Sequence, residues 1–145
     1  MLGINSHAVK FRPASAASVA LQLLAASTIP ALSAGDPAAG QRDFATRCAT
    51  CHATTAGENK IGPSLAGVVG RPSGIVAGFS YSAALKSAHL TWDDATLDKW
   101  LQNPSSLVHG TTMFVTLPSA NDRQDVIAYL NTLSTGRPTP PAAAQ

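Results

Sequence analysis

The chain has 145 residues, 45% of them hydrophobic and 12% charged, which suits one globular domain and is too short for two. Its formal net charge of +2 comes from Lys10 and Arg12, because the eight acids between Asp36 and Arg137 are matched there by eight bases. Beyond residue 34 that balance leaves no basic stripe for nucleic acid and no Lys/Arg cluster for anionic lipid.

Residues 1–34 read as a secretory signal peptide. "MLGINSHAVKFRP" is basic and acid-free, "ASAASVALQLLAASTI" is apolar and uncharged, and "PALSA" offers cleavage after Ser33 or after Ala34. An uncleaved anchor helix is the competing reading, since the run approaches membrane-spanning length. Ser, Gln and Thr dilute the run and Pro30 ends it, which favours cleavage and export, most simply to a bacterial periplasm.

"GDPAAGQRDFATRC" predicts the first mature helix. Asp36 can cap it, Pro37 suits the first helical position, and Gly40, Phe44 and Cys48 recur on one face. Glycines and prolines then punctuate a long irregular segment, with a short helical turn expected at Leu65 to Val69. "YSAALKSA" predicts another short helix.

In "TWDDATLDKWLQNP" a firmer helix is expected. Thr91 and Asp94 resemble a capping box, Leu97, Trp100 and Leu101 share a face, and Asn103-Pro104 stops the run. "SSLVHGTTMFVTLP" reads as loop. The last helix lies in "SANDRQDVIAYLNTLSTG", capped near Ser119, with Val126, Ile127, Tyr129, Leu130 and Leu133 apolar and Gly136 at its exit. No repeat and no convincing strand occurs, so the fold class is all-α. The domain is placed at residues 35–135, with a Pro/Ala-rich disordered tail over 136–145.

Three or four helices and long loops, over roughly a hundred residues, give a thin apolar core for so much ordered backbone. A large, flat, apolar cofactor would supply the missing buried surface. "RCATCHAT" shows how one could be held. Structural zinc wants four ligands, and only His89 and His109 remain to join the two cysteines, twenty residues apart in loops. A dithiol oxidoreductase puts its pair at the start of a helix after a strand, whereas Cys48 and Cys51 fall at a helix's end. A plain disulfide would close too small a ring to constrain much and would leave His52 unexplained. The spacing Cys-x-x-Cys-His is the attachment signature of a c-type haem, with Cys48 and Cys51 as thioether tethers and His52 as an axial ligand.

Met113 is the one methionine after the leader. It lies in a glycine- and proline-bounded loop where no periodicity demands a core side chain, which makes it the candidate sixth ligand, suited to electron transfer. A gap-filling core role is the bland alternative. His109 and His89 compete for the position.

From "GDPAAGQRDFATRCATCH" through "IGPSLAGVVGR", "GFSYSAAL", "LTWDDATLDKWLQNP", "GTTMF" and "DRQDVIAYL", over roughly residues 35–134, the chain resembles class I cytochrome c, the mitochondrial-like branch found in bacteria. The resemblance implies a small cytochrome c fold, three to five helices wrapped around one covalently bound haem c, with long irregular loops. It implies a helix crossing at Gly40 and Phe44 near Val126 and Tyr129, and a bond from the His52 ring to the Pro63 carbonyl. Arg71, Tyr81 and Trp92 resemble haem-propionate donors, and Thr111 and Trp100 flank Met113, with Trp100 where relatives often carry Tyr. Core packing is the plain role for Trp92 and Trp100, and a solvated surface charge for Arg71.

Three departures accompany the resemblance. His109 stands where relatives commonly have Pro, Leu85 replaces a usual polar residue, and few lysines remain for docking, namely Lys60, Lys86 and Lys99. The implied function is a monomeric periplasmic carrier of single electrons, not an enzyme. Its partners would be redox proteins: a quinol-oxidising membrane complex, a terminal oxidase or a periplasmic dehydrogenase. The alternative is a peroxidase-like or gas-sensing haem protein with a labile sixth ligand.

Overall fold

The computed structural model describes residues 34–134, all within the second of two units into which the chain divides, Leu32–Gln145. The leader up to Ser33, the tail over 136–145 and the expected helix exit at Gly136 lie outside the described residues.

Helix α1 spans Pro37–Arg47. The Asp36 carboxylate accepts from the Ala38 N–H at 2.9 Å, Pro37 takes the first helical position, and the Asp36 N–H reaches Asp125 at 2.7 Å. Cys48 ends the helix, its N–H donating to the Phe44 carbonyl at 2.8 Å. The last helix, α5, spans Ala120–Thr132 behind a Ser119 cap. It buries Val126, Ile127 and Leu130 against the same core as Phe44.

The two helices cross at Gly40, where a Cβ would land on the Asp125 carbonyl. Only a residue without a side chain allows backbones to approach so closely. Phe44 and Tyr129 close the crossing with ring centroids 5.4 Å apart. The expected α1–α5 crossing is therefore observed.

Helix α2 spans Ala83–Ser87, capped by Ser82 as a short element, and α3 spans Asp94–Gln102. The predicted capping box at Thr91 gives way to a cap two residues later, where the Asp93 carboxylate accepts from the Thr96 N–H at 2.7 Å. The cause is a competing pairing. Thr91 forms an isolated bridge with Pro72, and the Trp92 N–H donates to the Arg71 carbonyl at 3.0 Å, which keeps both residues extended.

The expected loop after Asn103 begins as one more helical turn, α4, Pro104–Leu107. Asn103 is extended at φ −161°, so it ends α3 and at once caps α4, accepting from the Ser106 N–H at 3.1 Å. The helical turn expected at Leu65 to Val69 is absent. Gly67 sits at φ +61°, which breaks helical geometry, and its N–H donates instead to the Leu133 carbonyl at 3.1 Å. Among the described residues there are five helices, and the one bridge is the only extended pairing. The fold is all-α.

The segment between α4 and α5 is anchored at Leu117, which is 0% exposed and donates its N–H to the Leu101 carbonyl at 2.7 Å. The buried Arg123 guanidinium accepts nothing and donates three ways: to the carbonyls of Leu117 at 2.9 Å and Pro118 at 2.8 Å and to Asp98 at 2.7 Å. One cation thus ties α5, α3 and the preceding loop together.

Candidate functional site

Beside the α1–α5 and α3–α5 contacts the helices leave a space. They wall a crevice of about 350 Å³ lined mainly by apolar side chains, among them Phe44, Leu65, Val68, Leu97, Leu101 and Leu130. Cys48, Cys51, His52 and Met113 all face this crevice, and so do Pro63, Arg71, Tyr81, Trp92, Trp100 and Thr111. All ten residues expected at the site are therefore brought together. The thin core inferred from the sequence has its counterpart in this space.

The cysteine segment is a tight turn at the end of α1. The N–H groups of Cys51 and His52 both donate to the Cys48 carbonyl, at 3.0 and 2.9 Å, and the Gly62 N–H closes onto the Cys51 carbonyl at 2.7 Å. Cys48 and Cys51 are not bonded to each other. Burial, followed by the nearby Asp43 carboxylate, pushes the Cys48 thiol up to about 11, with Arg47 only partly opposing. Such a thiol stays protonated at neutral pH, the opposite of what a dithiol oxidoreductase needs. No group of three or more His, Cys, Asp or Glu that could hold a metal ion occurs among the described residues.

His52 is oriented from two directions. Its Nδ1 lies 2.8 Å from the Pro63 carbonyl, which can only accept, so Nδ1 carries the proton and Nε2 keeps its lone pair. Burial lowers the imidazole pKa, and the Pro63 bond opposes only in part, so the ring is neutral at pH 7. Behind it, Gly62 leaves no room, because a Cβ there would strike the imidazole ring. A neutral imidazole with one nitrogen fixed by a carbonyl is the usual state of a metal-ligating histidine.

Met113, which also lines the crevice, is held in its loop by two bonds. Its N–H donates to the Thr111 hydroxyl at 3.3 Å, and the Trp100 indole N–H donates to its sulfur at 3.0 Å. Trp100 packs edge-on to Trp92, centroids 5.1 Å apart. His109 and His89 are both exposed.

Arg71 donates to the carbonyls of Ala66 and Ser64, each at 2.9 Å, so it is an organised residue and not a loose surface charge. Burial raises the Tyr81 pKa against the smaller pulls of the Val76 backbone and Arg71, which keeps its hydroxyl a neutral donor. Leu85 lines the crevice, adding an apolar wall. Sequence reasoning missed Gly62 and Arg123. The first carries only the signal of a glycine before the bonded proline; the second has no local signal, since its partners lie on other elements.

Two unpaired thiols, a neutral imidazole with a bare Nε2, a thioether sulfur and an apolar crevice make a donor set and a space that fit a covalently held porphyrin iron. The comparisons agree. The cytochrome c family model matches residues 37–134. Cytochrome c of Euglena viridis is 45% identical over 100 residues, covering 68% of this chain and 98% of that protein. Cytochrome c2 of Rhodopila globiformis is also 45% identical over 100 residues, covering 68% of this chain and 94% of its own length. The structure of cytochrome cH from Methylobacterium extorquens matches with a TM-score of 0.63 at 44% identity, covering 68% of this chain and 99% of that one.

The chain belongs to the class I cytochrome c family, electron carriers whose covalently bound cofactor is haem c. No helix among the described residues is long and apolar enough to cross a membrane.

Proposed function

We propose that this protein is a soluble periplasmic electron carrier, moving one electron at a time between larger redox proteins and transforming no substrate. In this reading residues 1–34 are a cleaved export signal, and residues 35–135 form the carrier. Cys48 and Cys51 would tether the haem, and His52 and Met113 would ligate its iron. The observation that carries the reading is the pairing of two preset ligand side chains in one apolar crevice. His52 is fixed by Pro63 at 2.8 Å, and Met113 by Trp100 at 3.0 Å.

When bound, haem c supplies a one-electron iron couple whose potential depends on its axial ligands and surroundings. The chain's own residues do the rest. Pro63 keeps the proton on His52 Nδ1, so Nε2 is always available. The crevice walls exclude water, which limits the rearrangement that accompanies a change of charge. Arg71, Tyr81 and Trp92 offer donors at the crevice for carboxylate side groups of the cofactor. Met113, with both its backbone N–H and its sulfur held, would offer its thioether to the iron and so leave no vacancy for outside molecules.

A haem enzyme would need that position open. Purified ferric protein is expected to resist azide and to show negligible peroxide turnover, while exchanging electrons readily with a second redox protein. Fast azide binding together with sustained peroxide turnover would favour the peroxidase-like alternative.

A further inference from the structure

The bond between Trp100 and Met113 has a direction. Indole nitrogen only donates, whereas the hydroxyl of the tyrosine that relatives often carry here can rotate and do either. Trp100 is 6% exposed and cannot turn its N–H to water, because its ring is packed edge-on to Trp92 at 5.1 Å. The N–H must find its acceptor inside the crevice, and it finds Met113 Sδ at 3.0 Å.

A thioether sulfur has two lone pairs, so it can bind a metal with one and accept from Trp100 with the other. An imidazole cannot. Its single free ring lone pair would go to the metal, and its other nitrogen carries a hydrogen, leaving the buried indole donor opposite another donor. A donor stranded this way costs on the order of a tenfold loss in affinity. Sites built around a hydrogen bond reject the analogue that cannot make it.

We infer that Trp100 is a specificity-determining residue for the sixth ligand, selecting a thioether over an imidazole. The inference rests on the His52 and Met113 ligation proposed above. It bears on this chain in particular because an exposed imidazole, His109, stands four positions before Met113 in the same loop. Trp100 keeps that imidazole off the iron by refusing it a partner.

The test uses the holoprotein with the sixth position opened by Met113→Ala. Two external probes are titrated into it at one oxidation state: imidazole, and the thioether N-acetylmethionine. The same titrations are run with Trp100→Phe and with Trp100→Tyr added. The inference expects the imidazole-to-thioether affinity ratio to rise about tenfold in Trp100→Phe. In Trp100→Tyr imidazole affinity should rise similarly while thioether affinity is retained, because a hydroxyl serves both.

In the chain with Met113 intact, Trp100→Phe should lose part of its far-red sulfur-to-iron band, and His109→Ala should restore it. An unchanged ratio in both Trp100 variants overturns the inference. A wild-type ferric protein lacking that band would instead defeat the ligation reading on which the inference rests.

Discussion

Gly62 lies directly behind the imidazole of His52, so close that a methyl group on its α-carbon would occupy the space of the ring. The ring is thereby set from both sides, by this backbone and by the Pro63 carbonyl at 2.8 Å. Gly62→Ala must push His52 out of place or move the 61–63 segment. The expected result is a loss of about 1–3 kcal/mol in stability and less protein recovered with covalent haem, read by urea unfolding and by haem staining of denaturing gels.

Gly40 poses the same question at the α1–α5 crossing. Helix propensity alone would favour alanine by about 1 kcal/mol. The Asp125 carbonyl already occupies the place where the new methyl would go, and overpacking of this kind costs about 1–3 kcal/mol. Gly40→Ala is therefore expected to destabilise despite its better propensity, as measured by a lower urea midpoint.

Asp93 gives a pH signature. Donation from the Thr96 backbone N–H, then from its hydroxyl, holds the Asp93 carboxyl below the usual carboxylate value. A depressed folded value means that the unfolded chain takes up its proton first as pH falls. The cap's contribution is thus fully present above about 4, the ordinary value for Asp, and is lost as pH drops through the folded value. Asp93→Ala should cost about 1 kcal/mol at neutral pH and almost nothing in strong acid, in paired unfolding curves.

Arg123 holds the Met113 loop by its C-terminal end. Arg123→Met would strand the Leu117 and Pro118 carbonyls and release Asp98, which is 40% exposed and can partly hydrate. A loss of about 2–4 kcal/mol is expected, together with thermal loss of Met113 ligation well before global unfolding. Following the far-red band and the helical signal in the same melt checks both.

The rim of the crevice carries two exposed apolar side chains, Ile61 at 76% and Phe114 at 85%. Over the described residues eight acids face seven bases, the Lys60 ammonium donates to the Ala49 carbonyl at 3.0 Å, and Arg47 is shared between Asp43 and Asp122. Docking at this face should depend on apolar contact more than on charge. Electron self-exchange between ferric and ferrous protein, followed by NMR line broadening, is expected to change less than about threefold between low and high salt. Replacing Phe114 with Ser should slow it at every salt concentration.

The sequence disclosed the elements whose signals are local. Asp36-Pro37 and Ser119 marked where helices start, and the cysteine and histidine spacing marked the cofactor. Where local signals competed, it misled. Thr91 looked like a cap, but its pairing with Pro72 depends on a residue 19 positions away. Asn103 looked like a stop, yet it serves as the end of one helix and the cap of the next. The turn at Leu65 to Val69 failed as a helix because Gly67 is left-handed and bonded to Leu133, a contact made only after folding. At the site, the residues that gather around the crevice were legible, while two devices that hold them, Gly62 and Arg123, were hidden in tertiary geometry.

The central claim is that sulfur and imidazole ligate one covalently held iron, and the most direct measurement is the optical spectrum of purified ferric protein beside its Met113→Ala variant. The account predicts a weak far-red band in the wild type, its disappearance in the variant, and a fall in reduction potential on redox titration. A wild-type spectrum without that band, or one that Met113→Ala leaves unaltered, would contradict it.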